Sequence, residues 1–317
     1  MNLPVAVAIW AAIVAGAAIA GIHLGFGGRR FVIALAVAAV LFAFELFVAA
    51  PQFLDRIRGL LGDGGAILVP LVPLFGVLVY SLAVTGNGEA MLIGAAYAVL
   101  PSLLLAGRAG KSPGTWQDYA AMLVVWLPVE FRWMYKLFPY PPPLIHTLTI
   151  LMAMATGVAA FVVLRRMDGI GYAVEWRRGF GWIFAFHFVV FAAIAIPLGM
   201  RIGFLAYAPS FARFKWSPLE GLGILFFTAW PEEFLFRGIL QNLLTRSFKN
   251  QQAGWILAAV IFGFSHILHK PFPNWKYVFL ATIAGLFYGR AYIKSGSLVP
   301  GALVHGLVDI SWHVLFR

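Results

Sequence analysis

The feature that most constrains this chain is the recurrence, from end to end, of apolar stretches about 20 residues long. A helix rises 1.5 Å per residue, so about 20 apolar residues cross roughly 30 Å of hydrocarbon. Such stretches fall at 3–26, 31–50, 66–85, 88–106, 116–137, 143–164, 180–199, 219–245, 252–269, 277–293 and 297–316. They are continuously apolar, whereas barrel strands alternate in segments of roughly ten residues. The fold expected is an all-α, polytopic transmembrane helix bundle of about 10–11 spans. Hydrophobic residues make up 62% of the chain and charged residues 11%, too few charges to dress a water-soluble surface.

The formal charge of +11 comes from 23 Lys and Arg against 12 Asp and Glu. Most of these cations stand in small groups between apolar stretches, as anchors to anionic lipid do. No soluble stretch is long enough to gather them into a nucleic-acid face. Cysteine is absent, which excludes disulfides, thiol nucleophiles and thiolate metal sites. The first apolar run has no basic residue before Arg29, so it reads as a retained span rather than a cleaved signal peptide. The connection from Arg165 to Arg178 carries four arginines and is expected on the cytoplasmic side.

Residues 1–210 are mostly bland Ala, Val, Leu and Phe, a helical region with no assigned role; from 211 to 317, ionisable residues enter the spans. An ionisable group at bilayer depth costs about 2.5 kcal/mol or more, so it is a functional candidate by default. The first cluster is Trp230-Pro231-Glu232-Glu233-Phe234-Leu235-Phe236-Arg237. Pro231 is expected to kink the helix or start a new one, with both acids in the first turn. Glu233 and Arg237 share a face and can pair, which leaves Glu232 for chemistry. A purely structural charge network is the other reading.

The second cluster is Phe262-Gly263-Phe264-Ser265-His266, with His269 nearer the membrane interface. A lone intramembrane His is also a common interhelical hydrogen bond. The third is His305-Gly306-Leu307-Val308-Asp309, where the four-residue spacing puts His and Asp on one face; His313 follows near the chain end. A carboxylate base, two imidazoles and an Asp on neighbouring helices suit hydrolysis by a water that Glu232 activates, with His266 and His305 expected to hold that water or the oxyanion and to protonate the leaving amine. Ser265 does not sit in a Gly-x-Ser-x-Gly elbow. Glu45, His146, His187 and the Glu130/Arg132 pair read as interhelical bonds or interfacial anchors.

The three clusters resemble, in order, the signature of the CAAX protease and bacteriocin-processing (Abi) family: Glu-Glu-x-x-x-Arg, Phe-x-x-x-His and His-x-x-x-Asn/Asp. The resemblance covers about 100 residues of the chain. It implies an intramembrane endopeptidase domain over 211–317, with Glu232 as the water-activating base and His266, His305 and Asp309 completing the site. Glu233, Arg237 and Phe262 look supporting. The implied partners are a peptide or protein substrate and the lipid bilayer, with no nucleic acid; in a bacterial host the location is the cytoplasmic membrane. No cofactor is expected. His-Glu-x-x-His is absent, and a zinc ion would have Glu232, His266, His305 and Asp309 as its donors. The family's third motif often ends in Asn, so Asp309 adds a carboxylate. Two other classes remain open: a proton-coupled transporter, against which no inverted repeat is visible, and a catalytically silent scaffold or immunity protein on the same fold.

Overall fold

The computed structural model describes residues 1–316, with the side chains of Asp63, Gly64, Trp216, Ser217 and Leu219 outside the described set. The protein is an all-α, multi-pass membrane protein, and among the described residues no strand forms beyond one isolated bridge, Tyr207 to Phe316. The chain divides into two compact units, Met1–Asp168 and Gly169–Arg317.

The first unit contains α1 (Leu3–His23), α2 (Gly28–Val48), α3 (Pro51–Gly65), α4 (Leu71–Tyr80), α5 (Gly88–Leu105), α6 (Trp116–Glu130) and α7 (Ile145–Gly157). Asn2 and Asn87 cap α1 and α5 by accepting from the amides of Val5 and Ala90, and Thr115 with Asp118 forms a capping box at α6. The helical stretch 142–164 is the buried centre, with 83% of its best apolar window inside the protein. One cation expected as a flanking anchor is interior instead. Arg165 is 1% exposed and its Nε pairs with Asp118 at 2.9 Å, while Nη1 donates to the Arg108 carbonyl. Burial of both charges is tolerable because each meets its opposite.

The second unit contains α8 (Phe180–Arg201), α9 (Phe211–Ile224), α10 (Trp230–Glu233), α11 (Asn242–Phe248), α12 (Gln251–Phe264), α13 (Trp275–Ser295) and α14 (Leu298–Leu315). Segments α9, α10 and α11 form one helical path, joined by π-turns at Leu225–Ala229 and Phe234–Gln241. Of the two effects expected of Pro231, the start of a new helix does not occur: the residues flanking it, Ala229, Trp230, Glu233 and Phe234, all keep right-handed helical angles. A π-turn widens the helix where the proline ring would otherwise meet the preceding turn, and it absorbs the missing N–H. The acids therefore lie within a continuous helix, not at a free N-terminus.

Among the described residues, seven helical stretches are long and apolar enough to cross a membrane: 3–23, 28–48, 66–85, 88–105, 142–164, 180–201 and 298–315. The remaining expected spans fall on α6 and α12, of 15 and 14 residues, on the π-interrupted path 211–248, and on α13, which carries Lys276, Arg290 and Lys294. In the second unit α13 packs against α12, α8 and α14. Glycine sets the closest of these approaches. A Cβ at Gly263 would lie 1.9 Å from Thr282 Oγ1, and one at Gly285 would lie 3.0 Å from the Ala259 backbone.

Candidate active site

The site is built on α10, the end of α12, α13 and α14. Glu233 is fully buried, and its Oε1 lies 2.9 Å from Arg237 Nη1, one turn along the same path. Arg237 is 1% exposed; its Nη2 donates to the Gly285 carbonyl at 3.3 Å. Its guanidinium lies over the Phe262 ring at 4.3 Å and the Tyr288 ring at 5.2 Å. The cation has thus exchanged water for a carboxylate, a carbonyl and two aromatic faces, each an electrostatic substitute for hydration.

The same Glu233 oxygen accepts from His305 Nδ1 at 3.0 Å. That bond puts a proton on Nδ1 and aims Nε2 at two more carboxylates, Asp309 Oδ2 at 3.5 Å and Glu232 Oε2 at 3.7 Å. Tyr288 stacks on the imidazole, 4.6 Å between centroids and 18° between planes, and fixes its plane. Gly301 is required beside this pair, since a Cβ there would come within 2.9 Å of Glu233 Oε2.

His266 lies beyond the end of α12, in a turn whose amide bonds back to the Gly263 carbonyl, rather than inside the span expected over 252–269. Its Nδ1 donates to the Phe262 carbonyl at 2.9 Å. The Phe262 ring meets both imidazoles edge-on, His266 at 4.9 Å and His305 at 5.8 Å. His269 is exposed and stacks on His266 at 5.7 Å, and His313 is exposed near the chain end.

A cavity of about 270 Å³ opens against this constellation, with His266, His305 and Asp309 in a wall that is otherwise largely aromatic and aliphatic. Glu232 is not among the residues lining it and meets it through His305; its side chain is 32% accessible against 0% for Glu233. The structure therefore brings Glu232, Glu233, Arg237, His305 and Asp309 into one charged cluster and places His266 along the same cavity, linked through Phe262. Tyr277 and Tyr288, absent from the sequence expectations, also line the cavity. They stand eleven residues apart on α13, about three turns, hence on one face, a spacing readable in the sequence.

Residues 214–311 match the family model described as type II CAAX prenyl endopeptidase Rce1-like. Over these residues the chain is similar to the Rce1-like family. All three motifs, from Glu232 to Asp309, fall inside the matched residues. The family that the chain resembles is one of CAAX-type membrane peptidases, which act on peptide or protein substrates at the membrane. Comparisons with curated proteins and with solved structures gave no match.

The decoys have local roles. His187 Nδ1 bonds the Ile183 carbonyl at 2.7 Å within its own helix, His146 Nδ1 meets the Tyr135 hydroxyl at 3.0 Å, and Glu130 accepts from the Trp126 indole at 3.0 Å.

Proposed function

We propose that the protein is an intramembrane endopeptidase that hydrolyses a peptide bond with a water activated by Glu232. The observation that carries this reading is the orientation of His305. One ring nitrogen is tied to a carboxylate already paired with Arg237, and the other faces Glu232 and Asp309, of which Asp309 stands in the cavity wall. Glu232 and His305 are 3.7 Å apart, beyond a direct hydrogen bond and suited to sharing a water.

In this mechanism Glu232 takes a proton from that water as the oxygen attacks the scissile carbonyl carbon. The carbonyl π pair moves to oxygen, giving a tetrahedral oxyanion. Collapse re-forms the carbonyl and breaks the C–N bond. The nitrogen keeps the bonding pair and receives the proton carried by Glu232. Glu233 and Arg237 hold His305 in place. The mechanism is written in its metal-free form, with His305 Nε2, Glu232 and Asp309 facing one another and the water between them.

The test uses the full chain in proteoliposomes with a quenched-fluorescence peptide library, comparing parent with Glu232→Gln and running a chelator arm in parallel. Cleavage is expected in the parent, retained in chelator and lost in Glu232→Gln by about 10²-fold or more. Cleavage that survives Glu232→Gln overturns the assignment of the base. Loss in chelator that returns with added zinc overturns the metal-free form.

A further inference from the structure

Hydrolysis through a tetrahedral oxyanion needs a hydrogen-bond donor aimed at that oxygen, and the motif residues do not offer one. Glu232 and Asp309 are carboxylates and accept. His305 directs Nδ1 at Glu233 and Nε2 at Glu232 and Asp309, so its donors already face carboxylates. The Phe262 carbonyl can only accept, so the His266 proton is on Nδ1 and Nε2 of the neutral ring carries a lone pair. Ser265 Oγ donates to the same carbonyl at 2.8 Å. Arg237 is 1% exposed, beneath Phe262 and Tyr288.

The other donor-bearing residues that line the cavity are Tyr277, Tyr288, Ser311 and Trp312. Tyr288 is 2% exposed and lies face-on to His305, where its ring is used in orienting the imidazole. Tyr277 is more accessible, and it stands edge-on to His266 at 4.5 Å and to Trp312 at 5.3 Å. Its ring is held on a third side by Phe204 at 5.3 Å, so the hydroxyl is presented by a side chain that has little freedom left to lose.

We infer that Tyr277 is a further catalytic residue whose O–H donates to the oxyanion formed when water adds to the scissile carbonyl. The hydrogen bond strengthens as the carbonyl π pair moves onto oxygen, and no proton is transferred to or from the phenol. The inference rests on the peptidase reading above.

Tyr277→Phe keeps the ring contacts and removes only the hydroxyl. In proteoliposomes, on the library peptide that the parent cleaves fastest, kcat should fall about 10²–10³-fold, with KM changed by no more than about twofold. Binding of a peptide aldehyde, which hydrates to a tetrahedral analogue, should weaken with kcat/KM. Should Tyr277→Phe not fold, Tyr277→3-fluorotyrosine keeps the ring and makes the hydroxyl a stronger donor; kcat should then rise at unchanged KM. A kcat within about threefold of the parent in Tyr277→Phe, or one unmoved by fluorination, overturns the inference and leaves the peptidase reading standing. A parent that cleaves no peptide while Tyr277→Phe has the same unfolding midpoint overturns the peptidase reading and this inference with it.

Discussion

Removing the guanidinium that neutralises Glu233 tests whether the charged cluster is a unit. In Arg237→Met the buried carboxylate keeps only His305 Nδ1 at 3.0 Å, and it loses the ion pair at 2.9 Å; the Gly285 carbonyl and two ring faces lose their cation. Breaking one side of a buried pair costs about 3–5 kcal/mol, because the partner charge stays in low dielectric uncompensated. Glu233→Gln strands the Arg237 charge in the same way, with a cost in the same range of about 3–5 kcal/mol. Glu233→Gln with Arg237→Met removes both charges together, so its cost should match one single change rather than the sum, a coupling of about 3 kcal/mol or more. Unfolding by SDS titration in mixed micelles, followed by tryptophan fluorescence and by helicity so that coincident transitions can be verified, measures all four corners. Additive single costs would refute the reasoning, since they would mean that neither charge is compensated by the other.

Gly301→Ala should cut kcat by about tenfold or more at little cost in unfolding midpoint, because its Cβ would press to 2.9 Å from Glu233 Oε2 and displace the carboxylate that orients His305; steady-state kinetics beside a thermal melt checks it. Asp118→Asn should lower the stability of the first unit by about 3–5 kcal/mol, read in the same micelle titration, without changing kcat. That carboxylate is fully buried, pairs with Arg165 and accepts from the Gly114 and Thr115 amides.

What the sequence discloses is what the helical period controls. The four-residue spacing is enough to foresee the Glu233 pairing with Arg237 and the common face of His305 and Asp309, and both are found. The bond between His305 and Glu233 joins residues 72 apart and depends on how α14 settles against the π-turn path, which no local spacing encodes. The stacking of Tyr288 on His305 has the same origin, since it depends on how α13 settles against α14. Pro231 misleads because its usual effect presumes α-helical pitch, and the π-turn before it relieves the clash. Arg165 misleads because a terminal cation at a span reads as an anchor until Asp118, 47 residues earlier, is seen beside it.

Asp309 is where this chain differs from the Asn form of the third motif, and the difference bears on how the site divides its labour. A carboxylate 3.5 Å from His305 Nε2 can only accept, whereas an amide in its place would carry an N–H able to serve the oxyanion. If Tyr277 supplies the donor that Asp309 cannot, Asp309→Asn should make the two partly redundant. Tyr277→Phe in the parent is expected to lose about 10²–10³-fold in kcat, some 2.7–4 kcal/mol of transition-state stabilisation. In the Asp309→Asn background the same change should cost less than about tenfold, or about 1.4 kcal/mol. Steady-state kinetics on the four corners of this cycle measures the coupling directly, and equal losses in the two backgrounds would mean that the tyrosine and the third-motif residue serve different atoms.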